Sequence, residues 1–260
     1  VKAIVLSAGQ GKRLLPLTDS RPKCLLPFAG RPLLEWQLRA LAMQGVAEAI
    51  VVVGFAAEAV ETALERLDVP GLRVRTLFNP FYSVADNIGS CYVALPEMTG
   101  DFLVLNGDTL FEPAVLGTLL ANATAPVTVT IDRKERYDAD DMKVCLDGGS
   151  QLLAIGKTLP ADSVDGESIG MLLFRGDGGA RFAGSIQAVI REAEGPRRWY
   201  LSAIDRLARN DGGVEVVSIE GHQWGEVDFP ADVEHARRLV EGWVAAGRFA
   251  LPAVDERLSA

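Results

Sequence analysis

Apolar residues fall along this chain in short blocks that alternate with stretches of helical spacing. Residues 3–7 (AIVLS) form an apolar run ending in a glycine-rich turn, the pattern of a strand buried on both faces. Residues 32–44 follow with Leu34, Leu38 and Leu41 on one helical face. The run AIVVVGF at 49–55 is continuous and rich in β-branched residues, hence a second buried strand. A helix at 57–67, a strand at 72–78, a helix at 87–95, a strand at 101–105 and a helix at 113–121 continue the alternation. This rhythm predicts an α/β fold with a doubly wound, mostly parallel, Rossmann-like sheet. Such sheets take ligands beyond the carboxyl ends of their strands.

After a strand at 127–131 (VTVTI) the rhythm changes. Residues 142–146 and 152–155 flank DGGSQ, a hairpin signal, and predict a small antiparallel extension. A strand at 168–174, helices at 180–194 and 201–209, and a strand at 214–219 complete the second half. The last helix, 231–246, is entered through Pro230. No internal repeat and no long polar linker divides the chain, so 1–249 reads as one domain and 250–260 as a tail.

Composition narrows the chemistry. The chain has 260 residues, 48% of them hydrophobic, enough for a full core. Lys and Arg total 26 against 35 Asp and Glu, a formal charge of −9. That balance offers no sequence-wide reason to bind nucleic acid or an anionic membrane, so any anion must be held by a local cluster. Cys24, Cys91 and Cys145 are odd in number and far apart, giving neither a disulfide framework nor a zinc pair. With His222 and His235 as the only histidines, a His/Cys metal site is not expected. No apolar run reaches the roughly 18 residues of a membrane span and no signal peptide is legible, so a cytoplasmic protein is expected.

The candidate anion site is the turn after the first strand. GQGKR at 9–13 is neither a dinucleotide fingerprint, since Leu14 stands where glycine is needed, nor a P-loop, since Leu6 and Arg13 break it. Glycines still let backbone N–H groups approach phosphate oxygens, and Lys12, Arg13 and Lys23 add charge. A solvated strand-to-helix turn explains the same residues. Carboxylates come from two other places. Asp108 follows the buried strand at 101–105, while Glu226 and Asp228 stand two residues apart and point the same way on an extended segment. Mg²⁺ takes a few carboxylate oxygens together with phosphate oxygens and waters. A turn-forming Asp108 and a polar Asp228 at a helix entry are the competing readings.

The whole stretch LSAGQGKRLLPLTDSRPKCLLPFAGRPLLEW resembles the sugar-phosphate nucleotidyltransferase superfamily. Its signature, a G-x-G-x-R-[LM]-x-P-L-T loop followed by a P-K lysine, is matched by Gly9, Gly11, Arg13, Leu14, Pro16, Leu17, Thr18, Pro22 and Lys23. Glu226-Val227-Asp228 before Pro230, and Asn87 and Ser90 in NPFYSVADNIGSCYVAL, resemble the choline-phosphate cytidylyltransferase branch. The resemblance implies Mg²⁺-dependent transfer of a cytidylyl group from CTP to a phosphorylated small alcohol such as phosphocholine, or to a phosphonate. It implies Lys23 and Arg13 as catalytic residues, and Asp108, Glu226 and Asp228 as metal ligands. Leu6, Ser7, Ala8, Gly9, Gly11, Lys12, Asn87, Ser90 and Gly107 are then the nucleotide contacts, although helix capping by Asp86 or Asn87 explains that segment equally well.

The antiparallel extension would hold the acceptor through Glu167, Gly170 and Lys157. Lys157 lacks the flanking Glu and Pro of the superfamily's E-K-P motif, which weakens a hexose-phosphate assignment. Asp140, Asp141 and Lys143 reach the same pocket or form a charged surface loop. Trp199 and Tyr200, with Trp224 as a third wall, would face a cationic acceptor group; packing in the core is the alternative. A nucleoside-diphosphate-sugar pyrophosphorylase, and a catalytically silent nucleotide-binding regulatory subunit, share the phosphate residues and remain open.

Overall fold

Strand β1 (Lys2–Leu6) sends Ala3 and Val5 to one side of the central sheet and Ile4 and Leu6 to the other, and all four are buried. Apolar residues on both faces require helices on both faces, and these follow along the chain. The computed structural model describes residues 1–250, so all but the first residue of the expected tail at 250–260 lies outside the described residues.

A short antiparallel pair, β2 (Pro27–Phe28) and β3 (Arg31–Pro32), leads into α1 (Leu33–Met43). Next come β4 (Glu48–Val53), α2 (Ala57–Glu65), β5 (Arg73–Phe78), α3 (Asn87–Val93) and β6 (Phe102–Asn106). Strands β6, β1, β4 and β5 lie side by side and parallel, in that order. Strand β7 (Thr109–Phe111) and helix α4 (Pro113–Asn122) lead to β8 (Val127–Asp132). The hairpin expected around DGGSQ is β9 (Lys143–Leu146) with β10 (Leu152–Gly156).

Strand β11 (Gly166–Phe174) is longer than its sequence signal and buried throughout. It runs antiparallel to β6, β8 and β9, and so joins the parallel half to the antiparallel extension. Helices α5 (Gly178–Ile190) and α6 (Leu201–Asn210) follow, then β12 (Val214–Ser218), parallel to β8. Strand β13 (Trp224–Glu226) and helix α7 (Pro230–Ala245) end the described chain.

Helices α1, α4 and α7 cover one face of the sheet, with Leu38, Leu116 and Trp243 in its core. Helices α3, α5 and α6 cover the other, around Phe102, Phe174 and Phe182. The α/β, mostly parallel fold with an antiparallel extension is therefore as expected. Two features lay below the reach of periodicity: the β2–β3 pair, and the antiparallel pairing of β13 with β7, which sets Glu226 opposite Thr109. Strands of two or three residues carry too few alternations to be read. Among the described residues no helix is long and apolar enough to cross a membrane.

Candidate active site

The site is built at the carboxyl ends of β1 and β6. Ser7 N donates to Val52 O, carrying the chain off β1 in register with β4. Gly11 then takes a left-handed backbone (φ +77°) and opens the turn Lys12–Leu14. A Cβ there would lie 3.0 Å from the Lys23 stem, so Gly11 lets Lys23 pass close behind the loop. Thr18 Oγ1 clips the loop by donating to Gly11 O at 2.8 Å. Just past β6, Gly107 packs against the same loop: a Cβ on it would stand 2.4 Å from Ser7 Oγ.

These segments, with α3 and the antiparallel extension, enclose a cleft of about 510 Å³. Leu6, Ser7, Ala8, Gly9, Gly11, Lys12, Arg13 and Lys23 line it. Gly107, Asp108, Glu226 and Asp228 line it too, although Glu226 and Asp228 come from the far end of the chain. The β7–β13 pairing brings them there, and Val227 N seals it by donating to Asp108 O at 3.1 Å.

Electrostatics concentrate on Lys23. Its Nζ lies 2.5 Å from Asp108 Oδ2 and 2.7 Å from Asp228 Oδ1. Burial alone would lower its pKa; Asp108 and Asp228 outweigh burial and hold the ammonium above its ordinary value. Asp228 also accepts from Arg13 at 2.8 Å, and the Arg13 guanidinium stacks 4.7 Å from the Phe229 ring. Burial opposes ionisation of Asp228, but Lys23 outweighs it and keeps the pKa low. Glu226 is pushed up to about 8, first by burial and then by Asp108 and Asp228.

Among the described residues no set of three acidic, histidine or cysteine side chains is already spaced as a metal cage. Asp108 and Asp228 instead converge on an ammonium. The donors nonetheless suit Mg²⁺. Asp108 Oδ1 is buried with no hydrogen-bond partner, and hard carboxylate oxygens already gather around one positive charge.

The remaining expected residues divide. Asn87 and Ser90 line the cleft, but their side chains are engaged in building its wall. Asn87 Oδ1 accepts from Tyr200 N at 2.8 Å, and Ser90 Oγ from Asn79 Nδ2 at 3.0 Å; Asp86 is the α3 cap. Lys157, Glu167, Gly170 and Trp199 line the cleft as well. Lys157 Nζ sits 4.3 Å over the Trp199 ring and 3.4 Å from Asp140, so a cation already covers that aromatic face. Glu167 pairs with Lys134 at 2.9 Å; burial still carries its pKa up to about 7.

Three expectations are corrected. Tyr200 does not line the cleft: it is fully buried, edge-on to Phe182, because successive residues at a helix start face different ways. Trp224 donates its indole N–H to Asp132 at 2.7 Å and forms no wall of the cleft. Lys143 is buried and donates to the Asp138 and Lys157 carbonyls, which pins the loop base. Asp140 and Asp141 do reach the cleft. Phe55, Tyr82 and Asn106 also line it, although the sequence singles out none of them. Phe55 and Asn106 sit at carboxyl ends of parallel strands, the position that marks Asp108.

A family model for the MobA-like NTP transferase domain matches residues 3–218. The CMP-5'-(3-aminopropyl)phosphonate synthase of Streptomyces rubellomurinus is 32% identical over 91% of the chain, which covers 38% of that protein. The bifunctional IPC transferase and DIPP synthase of Rubrobacter xylanophilus is 32% identical over 95% of the chain, covering 53% of that protein. The chain thus spans about half or less of the length of these two relatives. The inositol-1-phosphate CTP transferase structure from T. maritima superposes with a TM-score of 0.76 at 21% identity, over 92% of this chain and 96% of that one. That similarity shows the same fold.

Proposed function

Because this chain belongs to the MobA-like NTP transferase domain family, we propose that it moves a cytidylyl group from CTP to a small phosphorylated or phosphonate acceptor. The observation that carries the reading is the convergence of the glycine-rich loop, Lys23 and the Asp108 and Asp228 carboxylates on one cleft. Relatives named as acting on a phosphonate and on CTP support the choice of donor and acceptor class.

An acceptor oxygen attacks the α-phosphorus; the bond to the α–β bridging oxygen breaks and pyrophosphate leaves with that electron pair. The acceptor oxygen is already ionised, so no side chain need take a proton. The protein's work is positioning and charge neutralisation. Main-chain N–H groups from Ala8 to Gly11 face the β- and γ-phosphates, where a glycine lacks the Cβ that would obstruct them. Nothing lies within 4 Å of the place a Gly9 Cβ would take. Arg13 and Lys23 leave their carboxylate partners for phosphate oxygens. Asp108 and Asp228, with Glu226 beside them, would hold Mg²⁺. When bound, the ion neutralises charge on the α-phosphate.

In the same cleft, Glu167 and Asp141 face the acceptor's other group, together with Lys157 and Trp199. The test is pyrophosphate release with CTP, UTP and dTTP, each against phosphocholine, aminoethylphosphonate and glucose-1-phosphate. Release with CTP and a phosphonate or phosphocholine is the expected result. Release only with UTP or dTTP and the sugar phosphate would replace it with a sugar pyrophosphorylase, and no release with any pair would point to a binding subunit.

A further inference from the structure

We propose that Gln37 is a positioning residue for the Asp108 carboxylate. The inference rests on the reading of Asp108 as a metal ligand. Gln37 lies in α1 at 1% exposure, between Trp36 and Leu38 in sequence, and does not line the cleft. Its Nε2 donates to Asn106 O and to Thr109 O, each at 2.8 Å. Those carbonyls bracket Gly107 and Asp108. One amide therefore spans the turn that carries the carboxylate, and both of its hydrogens are used.

The turn's other restraints come from different directions. Gly107 N donates to Leu6 O at 3.0 Å, Val227 N to Asp108 O at 3.1 Å, and Thr109 Oγ1 to Ile169 O at 3.1 Å. These anchor the turn to β1, to the segment after β13 and to β11. Gln37 is what ties its two ends to each other and to α1. Its own Oε1 is buried without a hydrogen-bond partner. An unpaired buried carbonyl is unfavourable, and an apolar side chain of similar size would avoid it. The amide's value therefore lies in its two donors, which hold the turn, rather than in the packing of α1. A residue that orients a metal ligand from behind typically changes metal affinity by about 10- to 100-fold.

The experiment titrates Mn²⁺ by electron paramagnetic resonance, with CTP present, on the wild type, Gln37→Met, Asp108→Asn and the double variant. Gln37→Met keeps the volume and removes both donors. The expected result is Mn²⁺ affinity lowered about 10- to 100-fold in Gln37→Met, with CTP binding in EDTA unchanged. The double variant should bind no more weakly than Asp108→Asn alone, since both changes act through one carboxylate. Wild-type Mn²⁺ affinity in Gln37→Met beside an impaired Asp108→Asn overturns the positioning role and leaves the metal reading standing. Unimpaired Asp108→Asn overturns both. Should Gln37→Met fail to fold, Gln37→Glu tests the same two donors. A glutamate offers at most one donor, and none when ionised, so Mn²⁺ affinity should again fall while CTP binding in EDTA holds; wild-type Mn²⁺ affinity in it overturns the inference.

Discussion

Lys23 Nζ stands 2.5 Å from Asp108 Oδ2, so a carboxylate proposed for the metal is already neutralised by the chain's own cation. The second contact, to Asp228, makes the ammonium a bridge between residues that are distant in sequence. A metal ion arriving alone must displace that ammonium and leave it without a partner. An ion arriving with a triphosphate offers Lys23 a phosphate oxygen in exchange.

Lys23→Met separates these roles with effects of opposite sign. Without nucleotide, the variant should bind Mn²⁺ about tenfold or more tightly than the wild type, because two carboxylates lose their internal counter-ion. Its turnover should fall at least about 100-fold, because charge developing on the phosphates goes unopposed. Mn²⁺ titration without nucleotide and a pyrophosphate assay check the two halves. Unchanged metal affinity would show that Lys23 is not what the metal replaces.

Asp108 is legible in the sequence because it lies just beyond a buried strand, and Lys23 because it closes a contiguous motif that begins at the end of another. Position at the carboxyl end of a parallel strand is itself the physical signal. Tyr200 is not legible: its pairing with Trp199 suggests an aromatic wall, but only the direction of the α6 entry decides that Trp199 faces the cleft and its neighbour the core. Lys157 reads as an acceptor contact, yet its place over Trp199 depends on two loops meeting in space. Gln37 gives no signal at all. A polar residue on an apolar helix looks like a surface position, and its partners are main-chain carbonyls 69 and 72 residues away.

Glu167 predicts a pH dependence of stability. Burial raises its pKa to about 7 in the folded chain, although Lys134 opposes the rise. Its ordinary value is about 4.3. Between those limits the folded state binds a proton that the unfolded state has lost, so stability is greatest at the acidic end and declines as pH rises through 7. One such group contributes a slope of at most about 1.4 kcal/mol per pH unit. Glu226, raised to about 8, adds a slope of the same sign. Urea denaturation of the wild type and Glu167→Gln from pH 5 to 8 should therefore show a shallower decline in the variant. Parallel curves would mean that Glu167 titrates near its ordinary value.

Two glycines should respond oppositely to alanine. At Gly107 a new Cβ would lie 2.4 Å from Ser7 Oγ and 2.5 Å from Leu6 O, and the latter is backbone that cannot swing aside. Gly107→Ala should lose about 1–3 kcal/mol of stability. At Gly9 a Cβ meets nothing within 4 Å. Gly9→Ala should stay within about 0.5 kcal/mol of the wild type, yet weaken CTP binding, because its methyl group enters the space proposed for phosphate. Denaturation midpoints paired with CTP titrations measure both. Unaltered CTP affinity in a stable Gly9→Ala would move the phosphates away from this loop.

Asp140 reaches across the mouth of the cleft, 3.6 Å from Arg13 and 3.4 Å from Lys157. Both cations are ones an incoming substrate needs, so Asp140 competes with it for them. The carboxylate side chain is 59% exposed, and exposed pairs of this kind are worth about 0.2–1 kcal/mol. Asp140→Asn should then lower the KM for CTP, or for the acceptor, by about two- to fivefold and leave kcat unchanged. Screening sharpens the test: as ionic strength rises toward about 1 M the Debye length shrinks to about 3 Å, and the advantage of the variant should disappear. Initial rates at low and high salt measure this directly. A KM that rises instead would make Asp140 a substrate contact, since a carboxylate that only competes for Arg13 and Lys157 cannot improve binding by being present.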